Sequence, residues 1–414
     1  MKNWTIKLSL FINYFVFAIL LNSVGTVILQ VQNSYQVSES AASVLEAFKD
    51  LPIAITSFLV ASFIARIGYK RSMLIALAFI GFVCLAMPQV PAFWMSKLVF
   101  AATGVGFALT KVSVFAALGL VTDSRKEHVS WMNFLESFFM VGVLSGYFIF
   151  SAFVDDLNPG SISWLNVYYL LAALTLAAFI LLLAAPLDES AATASGTTSL
   201  SRDFVDMITL CIKPLVLIFI ISAFLYVLIE QAIMSWLPTF NSKILNLSAS
   251  LSIQMASILA ASTALGRFAA GIVLKRFDWF RVLLVGLVLA AALVILALPL
   301  AGNAGAIEIT SWLSAPIAAF LFPMIGFCIA PVYPAINSII LSALPKTQHA
   351  PMAGLIVVFS ALGGTTGSII TGNLFEIFGG RIAFYFSLVP ISTILITLYL
   401  FKRKTDEHRL GYHG

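Results

Sequence analysis

Charge is scarce in this chain: Asp, Glu, Lys and Arg make up 10% of its 414 residues, against roughly 25% in a soluble globular domain. So few charges cannot coat a water-facing surface of ordinary size. Histidine is nearly as rare. His128 lies in a loop and His349, His408 and His413 lie near segment ends, so none stands in an apolar span beside a nucleophile, and a hydrolytic triad is excluded. Three cysteines, Cys84, Cys211 and Cys328, fall inside apolar runs without metal-ligand spacing, which leaves them as small hydrophobes. A Gly-rich phosphate loop leading into a helix with Lys and Ser is missing, which excludes ATP drive. The basic residues form short clusters rather than a stripe with aromatics, so no nucleic-acid partner is expected despite a net charge of +5. No cofactor or metal is expected either, and no enzyme. The first apolar run follows Lys2 and Lys7 but lacks a small-residue cleavage site, and reads as a span rather than a leader.

What remains is apolar. Hydrophobic residues make up 61% of the chain, mean hydropathy is +1.03, and lipid is the solvent that such a composition fits. A helical span needs about 20 mainly apolar residues. The sequence supplies twelve, at 7–30, 42–65, 72–90, 94–121, 130–154, 164–186, 211–238, 249–274, 281–301, 310–343, 351–374 and 382–401. The expected fold is therefore an all-α membrane protein of twelve transmembrane helices in two six-helix bundles.

The loops sort by charge. With the N-terminus inside, the cytoplasmic segments hold Lys2, Lys7, Arg66, Lys70, Arg71, Arg125, Lys126, Arg202, Lys275, Arg276, Arg281, Lys346, Lys402, Arg403, Lys404 and Arg409. The other side holds Lys243, Arg381 and, at a span end, Lys97. The positive-inside rule then places both termini in the cytoplasm of a bacterial inner-membrane protein. An odd span count would scramble this sorting.

One long polar stretch, LDESAATASGTTSLSRDFVD at 187–206, reads as a flexible linker near mid-chain. It divides the chain into an N-terminal bundle at 1–190, a cytoplasmic linker at 191–206, and a C-terminal bundle at 207–414 with a short basic tail. Across it, ASFIARIGYKR at 61–71 matches GIVLKRFDWFR at 271–281 without a gap, and Arg66 falls on Arg276. Weak repetition between six-helix halves resembles the major facilitator superfamily. The first segment is similar to that superfamily's loop between helices two and three at Arg66, Gly68, Lys70 and Arg71; Ala65 stands where an Asp is usual. The second keeps Gly271 and Asp278 around Lys275 and Arg276. The resemblance makes these six residues, Arg66, Lys70, Arg71, Lys275, Arg276 and Asp278, the expected gating set.

Within the superfamily, FLYVLIEQAIMSWLPTF at 224–240 and GFCIAPVYPAINSIILSALP at 326–345 resemble the seventh and tenth helices of the fucose–proton symporter group. GVGFALTKVSVF at 104–115 echoes the fourth. That group commonly carries acids on its first and fourth helices. Here the first helix offers Asn22 and Thr26, and the fourth Leu109 and Lys111.

An ionisable side chain at hydrocarbon depth needs a partner, water or a task. Lys111 is either an anion ligand or the partner of Glu136 on the next helix. Glu46, Lys49 and Asp50 share one helix face, where Lys49 and Asp50 either meet the substrate path or pair with each other. Glu230 coincides with a Glu of the resembled group; a carboxyl at low dielectric can take up and release a proton. The expected coupling residues are Glu230, Glu136 and Asp50. Lys111, Lys49, Asn22, Tyr226, Gln231, Gln254, Tyr333 and Asn337 are the substrate-binding candidates. Arg267 either binds substrate, pairs, or snorkels. Trp131 and Trp236 read as interface-belt aromatics. Gly142, Gly146, Gly363, Gly364 and Gly367 would let helices approach closely.

The function expected is secondary active transport of a small polar solute by alternating access. The solute classes are a sugar, a sugar derivative or an organic anion, with protons as the second partner, in a monomer embedded in the bilayer. Efflux of a drug or metabolite by proton antiport is the alternative, and a lipid-handling relative a third class.

Overall fold

In lipid, a polar backbone that finds no water is satisfied within helices, and the chain follows that rule closely. The computed structural model describes residues 4–61, 64–122, 125–187, 189, 200–301, 308–345 and 348–410. Among these, the β pairing is a single bridge between Leu247 and Ile309. Eleven helices are long and apolar enough to cross a membrane. A twelfth, Glu39–Ala61, has 23 residues, about 35 Å at 1.5 Å per residue. It is set apart by its charges, Glu39, Glu46, Lys49 and Asp50.

The chain divides into two compact units, Met1–Val37 with Phe48–Leu200, and Ser38–Ala47 with Ser201–Gly414. In the first, α1 (Trp4–Asn22) and α2 (Val24–Tyr35) replace the single expected span at 7–30. The break has a local cause. Asn22 and Ser23 turn their side chains back onto the carbonyls of Ala18 and Leu20, each at 2.8 Å, and so compete with the helix ladder. The helix α3 (Glu39–Ala61) is shared: its first turns group with the second unit. A short turn α4 (Ile64–Ile67) leads through Gly68 into α5 (Tyr69–Ala86), followed by α6 (Phe93–Leu120), α7 (Arg125–Ser151) and α8 (Val167–Ala184).

The second unit begins inside the stretch read as a flexible linker. Residues 200–211 form the helix α9 (Leu200–Cys211), with Met207 and Leu210 buried while Val205 and Ile208 are exposed. The polar composition concealed an amphipathic run at helical spacing. Residues 190–199 lie outside the described residues. After α9 come α10 (Pro214–Lys243), α11 (Ala249–Val273) and α12 (Trp279–Leu300). The tenth span is interrupted near Pro323 and Pro331 into α13 (Ala318–Leu321), α14 (Ile325–Ile329) and α15 (Val332–Ala343), since proline removes a ladder donor. The chain ends with α16 (His349–Phe378), α17 (Gly380–Tyr385) and α18 (Leu388–Leu410).

In each unit the first long helix packs along the fifth span, α1 on α7 and α10 on α16. Glycines four residues apart line both seams. A methyl at Gly142 would meet Ala18 at 2.8 Å and the Phe15 carbonyl at 2.9 Å, and one at Gly146 would meet Ile19 at 3.5 Å. In the second unit, the same substitution at Gly363 or Gly367 would run into the backbone carbonyl of Phe224 or Leu228.

The matched segments 61–71 and 271–281 also occupy matching places. Gly68 is the N-cap of α5, and Asp278, which falls on Gly68 in the gap-free match, is the N-cap of α12. Asp278 accepts from the Arg281 amide at 3.3 Å, as N-cap carboxylates do. Gly68, at φ 94°, has no side chain to offer. Glu189 takes over: its Oε1 accepts from the Lys70 amide at 2.5 Å, and Lys70 Nζ donates to the carbonyls of Leu183 and Ala185 at the end of α8.

Candidate functional site

The second unit holds a carboxylate that is not solitary. Glu230, midway along α10, is half-buried. Its Oε1 accepts from the Tyr226 hydroxyl, one turn back, at 2.9 Å, and from Arg267 Nη2 of α11 at 3.1 Å. The Tyr226 ring stacks on Tyr333 of α15 with centroids 5.5 Å apart and planes 20° from parallel. Tyr333 shares a hydrogen with Ser360 of α16 at 2.8 Å, and Asn337 stands one turn along α15. Four helices thus converge on one cluster: a carboxylate, a guanidinium and two stacked phenols. The Arg267 side chain is 41% exposed and that of Glu230 22%. The pair is reachable, yet screened far less than one on an open surface.

The first unit repeats the chemistry with other parts. Glu136 of α7 accepts from the Tyr14 hydroxyl of α1 at 3.2 Å. Tyr14 stacks on Phe107 with centroids 6.1 Å apart and lies 4.7 Å from the Phe139 ring. Lys111 of α6 stands over the Phe107 and Phe115 rings at 5.6 and 6.0 Å, close enough for a cation–π attraction. Glu136 acts on Lys111 through space. The ion pairs of 4 Å or less among the described residues do not include these two, and both side chains are exposed. A direct Lys111–Glu136 pair, one of the two sequence alternatives, is therefore not formed.

Other expected residues are dispersed. Lys49 and Asp50 are buried and pair with each other at 3.5 Å. Asn22 spends its amide on α1, as above. Gln254 accepts from the Trp312 indole at 2.9 Å, and Gln231 is half-buried beside Glu230 in sequence. Trp236 is not a belt residue: it is fully buried and donates to the Ser368 carbonyl at 3.1 Å. Of the expected gating set, Arg71, Lys275, Arg276 and Asp278 are exposed and Lys70 is half-buried. The Arg66 side chain lies outside the described residues. Sequence reasoning missed Tyr14 and Ser360; Tyr14 stands one turn below Ala18 in a run of apolar and aromatic residues, with no polar neighbour on its face to mark it.

A family model described as Major Facilitator Superfamily matches residues 10–325. The chain belongs to that family. It is a multi-pass membrane transporter and not an enzyme. Among solved structures it is similar to a bacterial homolog of the human lysosomal transporter Spinster, with 14% identity, TM-score 0.80 and 98% of each chain covered. The nucleoside transporter NupG has 15% identity and TM-score 0.74, with 96% of this chain and 98% of that one covered. The E. coli fucose:proton symporter FucP has 13% identity and TM-score 0.59, with coverages of 97% and 99%. At these identities the likeness shows the shared fold alone. No curated protein sequence matches the chain.

Proposed function

We propose that this transporter carries a small polar solute across the bacterial inner membrane by symport with protons, working by alternating access as a monomer with both termini in the cytoplasm. The observation that carries the reading is Glu230, held by Tyr226 and Arg267 at 2.9 and 3.1 Å. A carboxylate at membrane depth whose partner is a neighbouring cation has two useful states. Ionised, it holds the guanidinium; protonated, it lets the guanidinium go. Such a switch ties proton occupancy to the state of a binding group.

Glu136, which accepts from the Tyr14 hydroxyl at 3.2 Å, supplies a second carboxylate, without a directly paired cation. Sugars, sugar derivatives and organic anions are the solute classes that suit stacked phenols, an amide and a cation. Two of the similar structures are described as a fucose:proton symporter and a D-xylose-proton symporter, which is consistent with sugar-like cargo. Lys49 and Asp50, paired with each other, fit a structural role better than a coupling one.

The test is uptake into proteoliposomes under an imposed pH gradient, using a solute first found by ligand-induced thermal stabilisation. Glu230→Gln is expected to abolish gradient-driven accumulation while leaving exchange across equal pH intact. Unchanged accumulation with an unchanged pH profile sinks the coupling assignment.

A further inference from the structure

We propose that the first unit binds a zwitterion: an organic acid that also carries an ammonium group, its carboxylate on Lys111 and its ammonium on Glu136. The proposal rests on the transport reading above and narrows its solute class.

The two charges are opposite in sign, and each is tied to something other than its opposite. Lys111 of α6 lies over the Phe107 and Phe115 rings at 5.6 and 6.0 Å. Glu136 of α7 holds the Tyr14 hydroxyl of α1 on one oxygen at 3.2 Å. Among the described residues no ion pair of 4 Å or less includes either of them. The same unit does close such a pair elsewhere, where Lys7 of α1 meets Glu127 of α7 at 2.7 Å. Aromatic rings floor the space beside Lys111 and Glu136. Tyr14 lies 6.0 Å from Phe115 and 4.7 Å from Phe139, and Phe107 lies 6.0 Å from Phe139.

Both side chains are exposed, and both face away from lipid. Phe134, Val141 and Phe148 are the exposed large apolar residues of α7, spaced by sevens and so on one face. Glu136, two residues on from Phe134, points about 160° away from it. The Lys111 ammonium is turned over rings that meet α1 and α7.

The solute chemistry follows from what binding does to each charge. A solute seated on this floor covers both groups and strips their water. One that bears only a carboxylate pairs Lys111 and leaves Glu136 covered. One that bears only an ammonium does the reverse, and a covered, unpaired charge is costly. A polyol reaches both groups through hydroxyls but returns charge to neither. A zwitterion meets both with charge-assisted hydrogen bonds, and its carbon skeleton rests on the rings.

Thermal stabilisation of the purified full chain at one fixed pH tests this with sets matched in carbon skeleton. The sets are aminovalerate against valerate and pentylamine, free phenylalanine against phenyllactate and phenethylamine, and glycine betaine against acetate and tetramethylammonium. At least one zwitterion is expected to raise Tm where neither of its singly charged analogues does. Lys111→Met and Glu136→Gln should each weaken its binding about 10- to 100-fold, the worth of a hydrogen bond to a charged group. Lys111→Arg and Glu136→Asp should keep part of it. The proposal is overturned by equal stabilisation from a singly charged analogue, by stabilisation from no zwitterion, or by zwitterion binding that either Lys111→Met or Glu136→Gln leaves unchanged. The first two of these readings need only the wild-type chain. Uptake of the binding zwitterion that ignores a pH gradient would instead reject proton coupling and leave the zwitterion site standing. Gradient-driven uptake of a solute that lacks one of the two charges would do the reverse.

Discussion

The two units solve the same packing problem with different tightness. Each runs its first long helix along its fifth span, and each places glycines at i and i+4 on the seam: Gly142 and Gly146 against Phe15 and Ile19, Gly363 and Gly367 against Phe224 and Leu228. In the second unit the glycines press on backbone carbonyls. In the first, Gly146 leaves ordinary van der Waals room, with Ile19 at 3.5 Å. The ionic clusters follow the same trend. Glu230 touches Arg267, whereas Glu136 and Lys111 interact only through space. A near-repeat in sequence therefore yields one closely locked unit and one looser unit, and substitutions at matched positions should separate them.

The largest difference is expected on the seams. Gly367→Ala places a methyl on the Leu228 carbonyl, so α10 and α16 must part; overpacking of this kind costs about 1–3 kcal/mol. Gly146→Ala should be neutral, or stabilising by up to about 1 kcal/mol through helix propensity. Thermal unfolding in detergent reads both. Equal losses at the two positions would break the comparison. A smaller contrast belongs to the cations. Arg267→Met leaves Glu230 with Tyr226 alone. Because the pair is partly exposed, the cost should fall between a surface and a buried ion pair, about 1–2 kcal/mol. Lys111→Met breaks no direct pair and should change unfolding by less than about 0.5 kcal/mol. A larger loss there would mean that the cation–π contacts with Phe107 and Phe115 hold more than they are credited with.

Span count, helix type and the glycine seams were legible because each follows from composition and spacing along one segment. The pairing of Lys49 with Asp50 was open because consecutive helix residues point about 100° apart, so whether their side chains bend together depends on what surrounds them. What stayed hidden depends on contacts distant in sequence. Tyr14 and Glu136 are 122 residues apart, and nothing in either segment names the other. Arg267 and Glu230, 37 apart, were each visible as a costly charge, but only the packing of α10 on α11 makes them partners. Trp236 misled because aromatics near span ends usually meet the interface; here a helix seam with α16 buries it. The break after Asn22 escaped because hydropathy does not register side chains that bond back to their own helix.

The smallest contrast concerns the helix caps. In the gap-free match of 61–71 with 271–281, Gly68 falls on Asp278, and both are N-caps. Asp278 caps α12 from within its own loop. The carboxylate at the start of α5 comes instead from Glu189, 119 residues beyond the amide it accepts from. Removing either carboxylate should cost about 1 kcal/mol, but the two losses should spread differently. Asp278→Ala exposes the first amides of α12, so hydrogen exchange should quicken around Arg281 and nowhere else. Glu189→Ala should quicken exchange at Lys70, and should also loosen the end of α8, because Lys70 ties both elements together through the carbonyls of Leu183 and Ala185. Exchange that changes at Lys70 but not at residues 183–187 would show that the lysine clamps α8 without help from the borrowed cap.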